Sequence, residues 1–318
     1  MKRKHWLWVA AIIAVLLVGA FTWTVLHPAE GSRGVLYRVN DGKNEMYLLG
    51  SIHIGSSAMY PFGEDIRQAM AKADTFVYEC DTAAADAVAD MRQRMALSEG
   101  ETLSSLLGET LYAELTQVCQ KLDIDMSTIN KLKPWAVVNT LAVYTTSVEI
   151  GASNVNNALA LGVEKQVQAY AEANHKNTAY LETLTEQVSV LEGFSDALQH
   201  YLLQGVCDVI LNPDSANKGM DTTIAQWPDW WRTGDAEAFA NAYLSTYLEP
   251  GHEVVCAEYH RKLITQRNAH MAEGLVKLLE SGDTCFVTVG LLHLALPEDS
   301  IVKLLRDRGY TVEQLSIP

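Results

Sequence analysis

Two strand-like runs in this chain end in the same way. Leu48-Leu49-Gly50-Ser51-Ile52-His53 and Thr288-Val289-Gly290-Leu291-Leu292-His293 both pass from apolar residues into Gly-x-x-His, 240 residues apart. A glycine at a strand's end removes the side chain where another backbone or a ligand must come close. Three residues later each histidine can project past the strand's carboxyl edge, where crevices form in parallel sheets. If the two strands are neighbours, His53 and His293 meet. Glu79, closing the run "TFVYECD", can join them. One copy of the pattern is explained more simply by a local hydrogen bond at a strand end. Two copies in matched contexts, with a strand-end glutamate, favour a shared site.

The remaining periodicity predicts an α/β (α+β) fold: a mixed central sheet with flanking helices and a largely helical insertion over about 83–280. "GVLYRVNDGKNEMYLLGSIH" reads as a hairpin around Asp41-Gly42. "YPFGEDIRQAMAKAD" has the spacing of an amphipathic helix, and "TAYLE" reads as a short strand. "TLTEQVSVLEGFSDALQHYLLQG" reads as one long helix closing at Gly205, and "EVVCAEYHRKLITQRNAHMAEGLVKLLESG" as another. "TCFVTVGLLHLAL" reads as a strand covered on both faces, and "YTVEQLSI" as the last strand.

Residues 1–27 stand apart. A basic "MKRKH" precedes 21 uncharged residues, Trp6 to Leu26. That length can cross about 30 Å of hydrocarbon as a helix. Trp6, Trp8 and Trp23 suit the interface, and the basic end stays cytoplasmic. The expectation is a single-pass anchor in the cell membrane with the domain on the extracytoplasmic side. A cleaved signal at Val18-Gly19-Ala20, and hence secretion, is the alternative. Residues 28–34 read as a linker, and 35–318 as the domain.

The formal charge of −15, with only 24 Lys and Arg, excludes nucleic acid as the main partner. The five cysteines are dispersed with no Cys-x-x-Cys, which excludes a zinc ribbon. Disulfides and small buried thiols both remain open. No Gly-x-Ser-x-Gly elbow, His-Glu-x-x-His pair or glycine-rich phosphate loop occurs.

Two imidazoles and a carboxylate can bind a divalent transition metal and leave positions open for water. Bound water then ionises near neutral pH and can attack a carbonyl. A metal-free route uses one histidine as general base, oriented by Glu79. Trp227, Trp230 and Trp231 form an aromatic cluster suited to core packing, with a substrate-groove lining as the alternative.

The chain resembles the TraB/GumN family, which includes the Tiki-type membrane-tethered proteases. "YLLGSIHIG", "YPF" and "FVYECD" look like its opening signature. "YLETLTEQ" resembles its middle segment, "QRNAHMAEGL" its Arg-Asn pattern, and "VTVGLLHL" its second Gly-x-x-His. The likeness spans about residues 34–318. It implies a metal-dependent hydrolase acting on a peptide or a small amide or ester. His53, His293 and Glu79 would be the ligands of a divalent Mn, Co or Zn ion, with Glu79 as ligand or general base. Arg267 and Asn268 match the family's pair, and Arg267's fork of donors suits an oxyanion or carboxylate. Without the match, Arg267 reads as a solvated charge on a helix. Family members often have Gly-x-Asp where this chain has Gly162-Val163-Glu164, so Glu164 is left outside the core set. Glu182 reads as structural. Some family members are discussed as pheromone or signalling regulators. A non-catalytic binder of a peptide signal therefore stays open, as does a haem-binding module using one histidine.

Overall fold

The computed structural model describes residues 31–212, 220–247 and 250–315. The anchor or signal expected over 1–27 lies outside these residues. Among the described residues no helix is long and apolar enough to cross a membrane. From Ser32 onward the chain forms a compact unit with its own core, as a segment able to fold independently requires.

The fold is mixed α/β, built on one six-stranded sheet. Its strands are β1 (Val35–Asn40), β2 (Glu45–Ser51), β3 (Thr75–Tyr78), β4 (Asn177–Tyr180), β5 (Cys285–Gly290) and β6 (Thr311–Gln314), in the order β4-β3-β5-β2-β1-β6. The expected hairpin is present: β1 pairs antiparallel with β2, and Asp41 Oδ1 accepts the amides of Lys43 and Asn44 in the turn. β4, β3, β5 and β2 run parallel. β5, arriving more than 200 residues after β3, slots between β2 and β3. The two Gly-x-x-His strands are therefore neighbours, with Ser51 opposite Gly290. Glu79 follows Tyr78, which is opposite Thr288 on the other side of β5.

The sheet core centres on residues such as Leu48, Phe76 and Phe286, all fully buried. A second core lies wholly among helices. There Leu107, Leu115, Val137, Leu141 and Leu203 pack together from segments Leu103–Lys121, Pro134–Glu149 and Asp196–Leu211. All five cysteines are buried like small apolar groups.

Several expected elements differ. The helix expected to close at Gly205 is two helices, Leu184–Glu192 and Asp196–Leu211. Ser195 starts the second by accepting the amide of Leu198, and Gly205 lies inside it. The run through Leu296 is strand only to Gly290. The Leu291 amide then bonds the Ser51 carbonyl, and Leu292–Ala295 forms one helical turn carrying His293. The long C-terminal helix contains a π turn at Arg261–Thr265. Of the expected linker, Ser32 is buried and its amide bonds Pro61.

Candidate functional site

A cavity of about 490 Å³ opens at the carboxyl edge of β2, β3 and β5, and His53, Glu79, Arg267 and His293 all line it. Gly290 has a specific task there. Its amide donates to Glu79 Oε1 at 2.5 Å, and an added Cβ would lie 3.2 Å from that same oxygen. The second glycine thus lets the neighbouring strand's carboxylate lie against its own backbone.

Glu79, Arg267, His293 and Asn268 form one bonded set. Arg267 Nη2 donates to Glu79 Oε2 and to Glu182 Oε2, both at 2.6 Å, and its Nε reaches both Glu182 oxygens at 3.1 Å. Gln187 Nε2 bridges Glu79 and Glu182 at 3.0 and 3.1 Å. Arg267 is thus a largely buried hub, not the solvated charge that its place on a helix face suggests. The π turn explains its direction. One extra residue in a turn rotates everything after it by about 100° relative to an unbroken α-helix.

His293 is fixed in one tautomer. Its Nδ1 lies 2.5 Å from Asn268 Oδ1, which can only accept, so the proton is on Nδ1. Asn268 is oriented in turn by donating its Nδ2 to the Asp299 carbonyl at 2.6 Å. Asp299 has φ +56°, a left-handed conformation that Asp tolerates better than most residues. His293 Nε2 therefore holds a lone pair. It faces Arg267 Nη1 at 3.2 Å and Glu79 Oε1 at 3.9 Å.

Burial lowers the pKa of His293 to about 4, with the positive charge of Arg267 acting in the same direction. Burial by itself would raise Glu79, but His293 (protonated only in the acid range), Arg267, His53 and the Gly290 amide hold it at about 2. Since His293 is neutral near pH 7, Arg267 is the standing counter-charge. Burial also works against charge on Arg267, and Glu79 and Glu182 overcome it and raise its pKa.

His53 lines the same cavity but pairs elsewhere. Its Nδ1 lies 2.7 Å from Glu164 Oε1, and that oxygen also accepts from Ser51 Oγ at 2.6 Å. The ring is 72% exposed. The carboxylate of Glu164 raises the His53 pKa to about 9. Two glycines make the pairing possible. The Gly55 amide bonds the Ala158 carbonyl, and the Val163 amide bonds the Ile52 carbonyl. A Cβ on Gly162 would overlap the His53 carbonyl oxygen, and one on Gly55 would overlap that of Leu161. The backbones touch, and Glu164 arrives beside His53 as a result.

Glu164, Glu182 and Gln187 are thus site residues that sequence reasoning left out or read as structural. Glu182 and Gln187 lie within the quoted "YLETLTEQ". Glu164 offered only the Gly-x-acid pattern. Of the tryptophans, Trp227 lines the cavity. Trp231 is fully buried and donates Nε1 to the Gly50 carbonyl at 2.8 Å.

Two imidazoles and a carboxylate suit a divalent transition ion by donor type. Their arrangement does not fit one. Among the described residues no three His, Cys, Asp or Glu side chains gather as a coordination group. Glu79 is engaged by Gly290, Arg267 and Gln187, His293 Nε2 faces Arg267, and His53 is held by Glu164.

No solved structure matches the chain. It is similar to the uncharacterized protein YbaP of Escherichia coli (strain K12), 22% identical over 275 residues that cover 83% of this chain and 89% of YbaP. YbaP of Shigella flexneri matches with the same identity and coverage. The TraB/PrgY/gumN family profile matches residues 35–314, from the first residue of β1 to the last of β6. A match of that extent contains both Gly-x-x-His strands and every residue of the bonded set, and on it the chain belongs to the TraB/PrgY/gumN family.

Proposed function

We propose that this domain is an extracytoplasmic hydrolase of amide or ester bonds, peptides among them. The observation that carries the reading is a pair of imidazoles in one cavity, driven to opposite protonation states: His293 down to about 4, His53 up to about 9. Titratable groups whose surroundings push their pKa values apart supply an acid and a base at the same pH. At pH 7 His293 is neutral with its lone pair on Nε2. It accepts a proton from water once Arg267 Nη1 yields that position. Ionised Glu79 steadies the imidazolium that forms.

Arg267 has five N–H groups. Four are engaged with Glu79, Glu182 and His293, which leaves one on Nη1. That N–H and the Nε2–H of His53 are donors for a carbonyl oxygen as negative charge develops on it. His53 then delivers its proton to the departing nitrogen or oxygen.

The test is mass spectrometry of a peptide and ester pool incubated with residues 28–318. New termini are expected, with a rate that rises through about pH 4 and falls through about pH 9. His53→Gln and His293→Gln should each lose about 10²–10⁴-fold. Intact peptide retained on the protein without new termini would instead favour capture of a signal. A rate that appears only with added Mn, Co or Zn and vanishes with chelator would reject His293 as base.

A further inference from the structure

The polar groups of the cavity come mainly from the sheet edge, whereas its wider wall is helical and apolar: Val143, Trp227, Phe239, Leu263 and Leu292. A water and one carbonyl need little of its approximately 490 Å³, which lies within the range of about 300–1,000 Å³ typical of small-molecule sites. Most of the remaining space is bounded by apolar side chains and suits an apolar group.

At the sheet edge of the cavity the uncommitted polar atoms are of one kind. The Nε2 of His53 has no hydrogen-bond partner among the described residues, and one Nη1 N–H of Arg267 is likewise unassigned. Both are donors. The carboxylate oxygens of Glu79 already accept from Gly290, Arg267 and Gln187. The cluster as a whole is negative. Glu79, Glu164 and Glu182 outnumber Arg267 and His53, which Glu164 keeps protonated at pH 7, by one charge, with His293 neutral. Such a site accepts a neutral carbonyl oxygen and resists a free carboxylate.

We infer that the cavity selects compounds in which a bulky apolar acyl group is attached to a neutral carbonyl, and that it disfavours the corresponding free acid. This deepens the hydrolase reading and rests on it. The substrate is then an amide or ester with an apolar acyl side. Its acid product, carrying full charge beside Glu79, leaves readily.

Methyl ketones test the selectivity apart from catalysis, because they present a neutral carbonyl and cannot be hydrolysed. Calorimetry on residues 28–318 would compare 2-pentanone, 2-octanone and 2-undecanone with decanoate at pH 7. Affinity should rise about fourfold for each added CH₂ until the cavity is full. Decanoate should bind at least tenfold more weakly than 2-undecanone. Val143→Trp, which fills the cavity from its helical wall, should lose at least tenfold for 2-undecanone. Ala142→Phe serves as a second occluding variant if the first does not melt like the parent. Equal affinity for ketone and acid, no dependence on chain length, or full affinity in a well-folded occluded variant would overturn the inference. Ketone selectivity without cleavage in the peptide and ester assay keeps the binding preference and rejects the hydrolase reading. Cleavage without ketone selectivity does the reverse.

Discussion

His53 is the residue whose chemistry depends most on a single neighbour. Glu164 holds its Nδ1 at 2.7 Å and raises its pKa to about 9. Glu164→Gln keeps the shape of the side chain and removes the charge. The His53 titration, followed by NMR, should then fall from about 9 toward the ordinary value of about 6.5. A value unchanged near 9 would remove Glu164 as the cause. The sign of the linked stability follows. The folded value lies above the unfolded one, so the contribution is complete below about pH 6.5 and disappears as pH rises through about 9. The ring is largely exposed and screened, so the contribution is about 1 kcal/mol or less. Glu79 has the opposite sign. Its pKa is held down at about 2, so its contribution is present above the ordinary carboxylate value and is lost as pH falls through about 2. His53, His293 and Glu79 were legible in the sequence, because Gly-x-x-His and strand-end Glu are local patterns, whereas Arg267 was reached only through the family resemblance. The partnership of His53 with Glu164 was not, since it spans 111 positions and follows from a contact between two backbones.

At the scale of elements, the site depends on three short devices at the ends of regular structure. Gly55 and Gly162 let two loops touch, a one-turn helix after β5 carries His293, and a π turn precedes Arg267. Gly162→Ala forces the His53 carbonyl away, and overpacking of this kind costs about 1–3 kcal/mol. Urea unfolding should show that loss together with a fall in the His53 pKa. Gly205→Ala is the natural contrast. Gly205 lies within helix Asp196–Leu211 with nothing near its missing Cβ, so the change should stabilise by about 0.4–1 kcal/mol. Loss of stability at Gly205 equal to that at Gly162 would contradict the close-approach argument. Periodicity predicted the hairpin, the helix after it and the strands. It passed over the break at Gly193–Ser195 and the π turn, because apolar spacing continues through both.

For the whole molecule, the order of the strands governs where strength lies. β5 is the central parallel strand, bonded on both sides, and Cys285 through Val289 are buried. β4 is an edge strand with mostly exposed residues. Hydrogen exchange should therefore be slowest in β5 and β2 and faster in β4, since protection follows burial and local contact. Equal exchange in β4 and β5 would mean that the site does not rest on the most stable part of the sheet. From local chemistry alone, the chain's residues determined the elements and the apolar faces that make a sheet with helices. They also determined two imidazoles and a carboxylate at strand ends. Tertiary structure decided which strands are neighbours, and so which groups meet. It also decided that Arg267 occupies the ground between Glu79 and His293, and that the two histidines take opposite charge states. The physical reason is that pairing and pKa are set by burial and by charges a few ångströms away, and those distances exist only once segments remote in sequence have packed together.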